Sequence, residues 1–76
     1  MSDLEDWRPG ARFRLLDYGT IDPSFRGRLL AMGMTLGVEV SVIRIAPLGD
    51  PIQLDLRGLM LGMRRKDLHA LHWKKL

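Results

Sequence analysis

Between Ile52 and Met63 the apolar residues recur with a period of two. Ile52, Leu54 and Leu56 alternate with Gln53, Asp55 and Arg57; beyond Gly58, Leu59, Leu61 and Met63 resume the spacing. Side chains alternate across a β-strand, so this pattern describes two strands that each keep one face dry. The two residues between them, Arg57 and Gly58, predict a tight hairpin turn. A lone hairpin is marginal in water, so the rest of the chain has to supply strands that cover its apolar face.

The flanking segments do so. Phe13 and Leu15 alternate with Arg12 and Arg14 in a first strand over 11–18, which Gly19 ends. A helix is predicted from Asp22 to Gly33. Asp22 is a good N-cap, Pro23 suits the first helical position, Gly33 suits a left-handed C-terminal residue, and Phe25, Leu29 and Met32 define an apolar face. After a turn over Met34–Gly37, Val38, Val40 and Val42 alternate with Glu39 and Ser41. Parity then slips, because Ile43 and Ile45 are the next apolar residues; a bulge near Val42 and Ile43 accounts for the slip. Ala46–Pro51 holds two prolines and a glycine and reads as a turn. Arg65–Leu68 reads as a short helical turn and Ala70–Trp73 as a closing strand. The fold class expected is mainly β: a small five-stranded SH3-like barrel with one short α-helix between the first and second strands.

Seventy-six residues allow one domain, placed at 11–76 behind a loosely attached lead-in over 1–10 from which Trp7 packs onto the domain. The absence of cysteine removes disulfide staples, thiolate metal sites and cysteine nucleophiles at once. A domain of this size without staples depends on packing. Three acidic residues near the start contradict a signal peptide, and the longest stretch free of charge, Leu29–Val38, is far short of the roughly 20 residues that span a bilayer. The expectation is a soluble, cytoplasmic protein. Its net charge of +3 is small and partly concentrated in Arg64, Arg65, Lys66, Lys74 and Lys75, which suits a solvated basic face.

Chemistry is sparse. Nucleophilic catalysis needs a nucleophile beside a base, and the only histidines, His69 and His72, lie near the C-terminus without any recognisable catalytic motif. No catalytic, cofactor or metal residues are assigned, and no cofactor is expected. With Asp67, the two histidines make a poor preformed metal site. Nucleic-acid binding, the alternative open to a small basic barrel, wants aromatics repeatedly interleaved with cations, and no such interleaving recurs along any strand here. Met34, Leu36, Leu48 and Met60 remain as a possible exposed apolar patch facing a partner.

Several runs resemble one family. Leu29-Leu30-Ala31-Met32-Gly33-Met34-Thr35-Leu36-Gly37 with Val38-Glu39-Val40, the loop Ala46-Pro47-Leu48-Gly49-Asp50-Pro51-Ile52, the hairpin Gly58, and Leu61-Gly62-Met63-Arg64-Arg65-Lys66-Asp67-Leu68 are similar, in this order and spacing, to ferrous iron transport protein A, FeoA. The resemblance spans about residues 11–73. It implies an SH3-like barrel, related to the C-terminal domain of diphtheria-toxin-repressor-type metalloregulators. It also implies a non-enzymatic accessory role in bacterial ferrous iron uptake. The implied partner is the cytoplasmic portion of the GTP-binding membrane transporter FeoB, which would bring the protein to the inner face of the membrane. An iron-responsive regulatory domain is a further alternative. The candidate contacts are Met34, Leu36, Pro47, Leu48, Gly49, Asp50, Pro51 and Met60.

Overall fold

The computed structural model describes residues 6–76. Five strands, β1 (Arg12–Asp17), β2 (Glu39–Ile45), β3 (Ile52–Leu56), β4 (Leu59–Met63) and β5 (His72–Lys75), form one antiparallel sheet in the order β4-β3-β2-β1-β5. Helix α1 (Pro23–Ala31) joins β1 to β2, and α2 (Arg65–Ala70) joins β4 to β5. Both end strands contribute to one core: Met63 of β4 and Trp73 of β5 pack in the same cluster as Phe13, Val40 and Leu54. The sheet is therefore curled around a dry interior, as a small barrel requires.

The period-two segments fold as the alternation demands. Phe13 and Leu15, Val40 and Val42, and Ile52, Leu54 and Leu56 are buried, while their polar neighbours face outward or are half-buried. Arg57 and Gly58 both take positive φ, 52° and 91°, the pairing that matches a two-residue turn to the strand twist. Asp55 Oδ1 accepts a hydrogen bond from the Gly58 N–H at 2.7 Å. Register slips between Val42 and Arg44 where β2 pairs with β3, at the bulge inferred from parity. A second irregularity, between Leu15 and Asp17 against β5, has no counterpart in the hydropathy pattern.

Helix α1 begins as read from sequence. The Asp22 carboxylate accepts from the Phe25 N–H at 3.2 Å, with Pro23 in the first helical position. Its end corrects two assignments. Gly33 takes φ +97°, and the N–H groups of Gly33 and Met34 bond to the carbonyls of Leu30 and Leu29 at 3.0 and 2.9 Å. In this Schellman arrangement the second residue beyond the cap folds back on the last turn. Met34, a candidate for the exposed apolar patch, is therefore fully buried beside Leu29; Met32, on the predicted apolar face of the helix, caps it and is 37% exposed. Phe25 is half-buried.

One further expectation changes. The closing strand starts at His72, because α2 continues through Ala70, and the Trp73 indole N–H donates to the Leu68 carbonyl at 2.9 Å to lock the helix-to-strand turn. Trp7 packs onto the domain as expected, and does so within the core. It is 1% exposed, stacked on Phe13 with ring centroids 3.8 Å apart and edge-on to Trp73. Residues 1–5 of the expected lead-in lie outside the described residues.

Candidate functional site

The loop between β2 and β3 is the most strongly specified surface feature. Its two ends meet through the Ala46 N–H and the Pro51 carbonyl at 3.1 Å, and the Gly49 N–H closes an inner turn on the Ala46 carbonyl at 2.7 Å. Gly49, at φ +91°, takes a conformation that side chains disfavour. The loop is also tied to α2. Asp50 Oδ1 accepts from the Arg65 N–H at 2.8 Å, and the Arg65 guanidinium Nε donates to the Gly49 carbonyl. Asp50 thus supplies the cap that Arg64, the residue preceding α2, cannot. Asp50, one of the candidate contacts, holds the loop in place.

This clamping displays Leu48, which is 97% exposed, with Pro47 and Pro51 beside it also exposed. Isolated exposed leucines are common and need no explanation. A leucine held outward by a loop fixed at both ends is different in one respect, since little conformational freedom remains to be lost when it docks.

The other apolar candidates do not join it. Leu36 and Met60 are 58% and 53% exposed. Gly37 lines one depression with Asp55 and Arg57, so the Leu36 turn lies at the same end of the sheet as the β3–β4 hairpin turn. Leu48 lies beyond the opposite end of β2, a seven-residue strand that spans about 20 Å. One patch containing Met34, Leu36, Leu48 and Met60 does not exist. The register of β2 divides it, and Met34 is withdrawn from the surface.

A groove escaped the sequence reading. Between α1 and the β4–α2 segment run two adjoining depressions of about 410 and 270 Å³, both walled by Phe25, Arg28, Arg64 and Asp67. Arg28 lies over the Phe25 ring, 5.4 Å from its centroid. Residues more than 30 positions apart in sequence build this groove, so only the folded chain reveals it.

Among the described residues no three His, Cys, Asp or Glu side chains converge to hold a metal ion. His72 is engaged elsewhere: its Nδ1 lies 2.8 Å from Asp17 Oδ1, joining the bulged end of β1 to the start of β5. The hydrogen bond to His72, and next the Gly19 N–H, hold the Asp17 carboxyl below the usual carboxylate range. A lowered folded-state value contributes stability above the unfolded value of about 3.9, and that contribution disappears as pH falls through the folded value. Chemical denaturation of wild type and Asp17→Asn should therefore show a stability difference at neutral pH that closes below about pH 4. Both groups are well exposed, so the difference is small and shrinks with salt. A gap that persists unchanged into acid would show that the carboxylate plays no such part.

Apart from Phe25 at the groove, the aromatics are occupied internally. Trp7, Phe13 and Trp73 are buried, and the Tyr18 hydroxyl donates to the Met34 carbonyl at 2.7 Å. No surface of stacked aromatics is available for bases among the described residues.

Residues 3–74 match the model of the FeoA domain. The chain belongs to the FeoA family. Solved relatives agree with this FeoA assignment. The FeoA protein of Chlorobium tepidum is 32% identical, with a TM-score of 0.87 over 99% of this chain and 70% of that one. A Pseudomonas aeruginosa protein is 43% identical, with a TM-score of 0.69 over 90% of this chain and 92% of its own. Iron(II) transport protein A of Clostridium thermocellum, 24% identical, shares the fold, with a TM-score of 0.78 over 90% of this chain and 41% of that one. The fold is thus common to chains whose sequences differ at most positions. No helix among the described residues is long and apolar enough to cross a membrane.

Proposed function

We propose that this FeoA-family domain is a non-catalytic accessory of ferrous iron uptake that acts by binding the cytoplasmic portion of a FeoB-type, GTP-binding membrane transporter. In this reading the protein works at the inner face of the membrane through its partner. Pro47, Leu48, Gly49 and Pro51 form the principal contact, and Asp50 sets the loop's position. Leu36 and Met60, at the other end of the sheet, can meet the transporter only if it reaches around the domain. The single observation that carries the proposal is the display of Leu48, fully solvated on a loop clamped to α2. Membership in the FeoA family supports it.

Leu48→Asp separates docking from folding. The side chain touches almost nothing in the isolated domain, so the unfolding free energy should stay within about 0.5 kcal/mol of wild type. Capture of the transporter's purified cytoplasmic portion, and ferrous iron uptake by cells carrying the variant, should both fall by tenfold or more, as expected when an interface anchor is lost. Asp50→Ala should behave differently. It removes the α2 cap, costs about 0.5–2 kcal/mol of stability, and weakens docking by loosening the loop. Full uptake and capture by a folded Leu48→Asp variant would refute the loop assignment.

A further inference from the structure

Strand β4 ends the sheet, and its outer edge is open. The two-residue turn makes Leu56 and Leu59 a hydrogen-bonded pair, so Leu61 and Met63 also direct their main-chain groups to β3. Met60 and Gly62 therefore point their N–H and C=O groups away from the sheet. Neither makes a main-chain hydrogen bond to any turn, loop or helix among the described residues. Exposed edges are usually protected by charge or proline. β5, the other end strand, carries Lys74 and Lys75, whereas Leu59–Met63 carries neither kind of guard. Gly62 leaves the approach clear, for a side chain there would find nothing nearer than Pro51, at 3.9 Å.

The open edge does not face bulk water alone. The groove of about 270 Å³ lies between it and α1, with Leu61 and Gly62 on one wall and Phe25, Arg28 and Met32 on the other. Arg28 and Arg64 border this groove, Lys66 extends the basic lining into the adjoining depression, and none of the three forms an ion pair among the described residues. Two carboxylates, Asp22 and Asp67, share the lining, and Asp22 is taken up in capping α1. The groove is therefore apolar at its floor and net positive at its rim.

We infer that β4 accepts an additional strand, an extended polypeptide segment of alternating apolar and acidic residues, paired with the main chain of Met60 and Gly62. Strand addition draws affinity from main-chain bonds and selectivity from alternate side chains. The apolar side chains of the incoming segment meet Leu61, Phe25 and Met32 in the groove, and its carboxylates pair with Arg28 and Arg64 at the groove's rim. The charge favours such a segment over a second copy of this chain, whose β4, Leu59–Met63, carries no carboxylate to meet Arg28 and Arg64. The site is separate from the Leu48 loop.

The probe is an end-capped octapeptide alternating valine and glutamate, with a lysine-for-glutamate version as control. Titrated into the isotopically labelled protein, the acidic peptide should shift the amide resonances of Met60 and Gly62 and slow their hydrogen exchange. The lysine peptide should do neither. Gly62→Pro removes an outward N–H without touching the ladder to β3, and should weaken binding at least about tenfold. The Arg28→Glu, Arg64→Glu double variant should do the same by charge, and it keeps the test decisive if Gly62→Pro does not fold. Failure of the acidic peptide to bind at millimolar concentration, equal binding of the lysine peptide, or shifts confined to residues away from β4 would overturn the inference. So would protection of Met60 and Gly62 that rises with protein concentration alone, which would make a second copy the occupant. A Leu48→Asp variant that binds the peptide normally but not the transporter would keep the two sites distinct.

Discussion

Trp7→Ala should lower the unfolding free energy by about 3–5 kcal/mol, the cost of emptying a large buried aromatic site. A chain of 76 residues holds only about 4–11 kcal/mol in total, so this one truncation removes a large share of it. The thermal midpoint should drop by more than about 15 °C. The indole lies face to face with Phe13 and edge-on to Trp73, so its loss also exposes β1 and β5 where they pair. Trp7→Phe provides the control. The Trp7 indole N–H has no hydrogen-bond partner among the described residues, so phenylalanine keeps most of the stacking and sacrifices none of the hydrogen bonds described. Its cost should be well below that of alanine. A midpoint unchanged by Trp7→Ala would mean that the segment before β1 is dispensable to the core.

Gly19→Ala should cost about 2–5 kcal/mol, from adding a single methyl group at an exposed position. Gly19 has φ +58°, where a side chain strains the backbone. A Cβ there would also lie 1.8 Å from the Ala70 carbonyl oxygen, a contact that only backbone movement can relieve. That carbonyl also accepts from the Thr20 N–H at 3.2 Å, and the Gly19 N–H donates to Asp17. The displacement should therefore reach the Asp17–His72 contact, visible as shifted His72 resonances in a variant that is still folded. Denaturant midpoints of Gly19→Ala and Gly27→Ala make the comparison specific. Gly27 lies within α1 with open space at its Cβ, so alanine there should be neutral or slightly stabilising. Equal effects at the two glycines would refute the close approach.

The proposed docking rests on the same economy of contacts. Asp50 is consumed within the fold, and this is what makes Leu48 a fixed projection instead of a mobile one. From sequence, Asp50 and Leu48 look like two contacts of one kind. In the folded chain one is a positioning residue and the other the surface it positions.

Local chemistry determined much of this FeoA domain before any folding was considered. Alternation set the inward faces of β1, β2 and β3, a parity slip located the bulge, Asp22 and Pro23 started α1, and Arg57-Gly58 closed a hairpin. Each depends on neighbours a few residues away, whose spacing fixes which side chains share a face. Tertiary structure decided the rest. Met32 and Met34 have the same composition and differ only in which side of the Gly33 reversal they occupy; an apolar residue directly after a C-terminal glycine was the signal available. Trp7 entered the core, Asp50 capped a helix 15 residues away, and a groove formed between α1 and β4. Such pairings depend on where the curled sheet returns the chain, and hydropathy along the sequence carries no record of that distance.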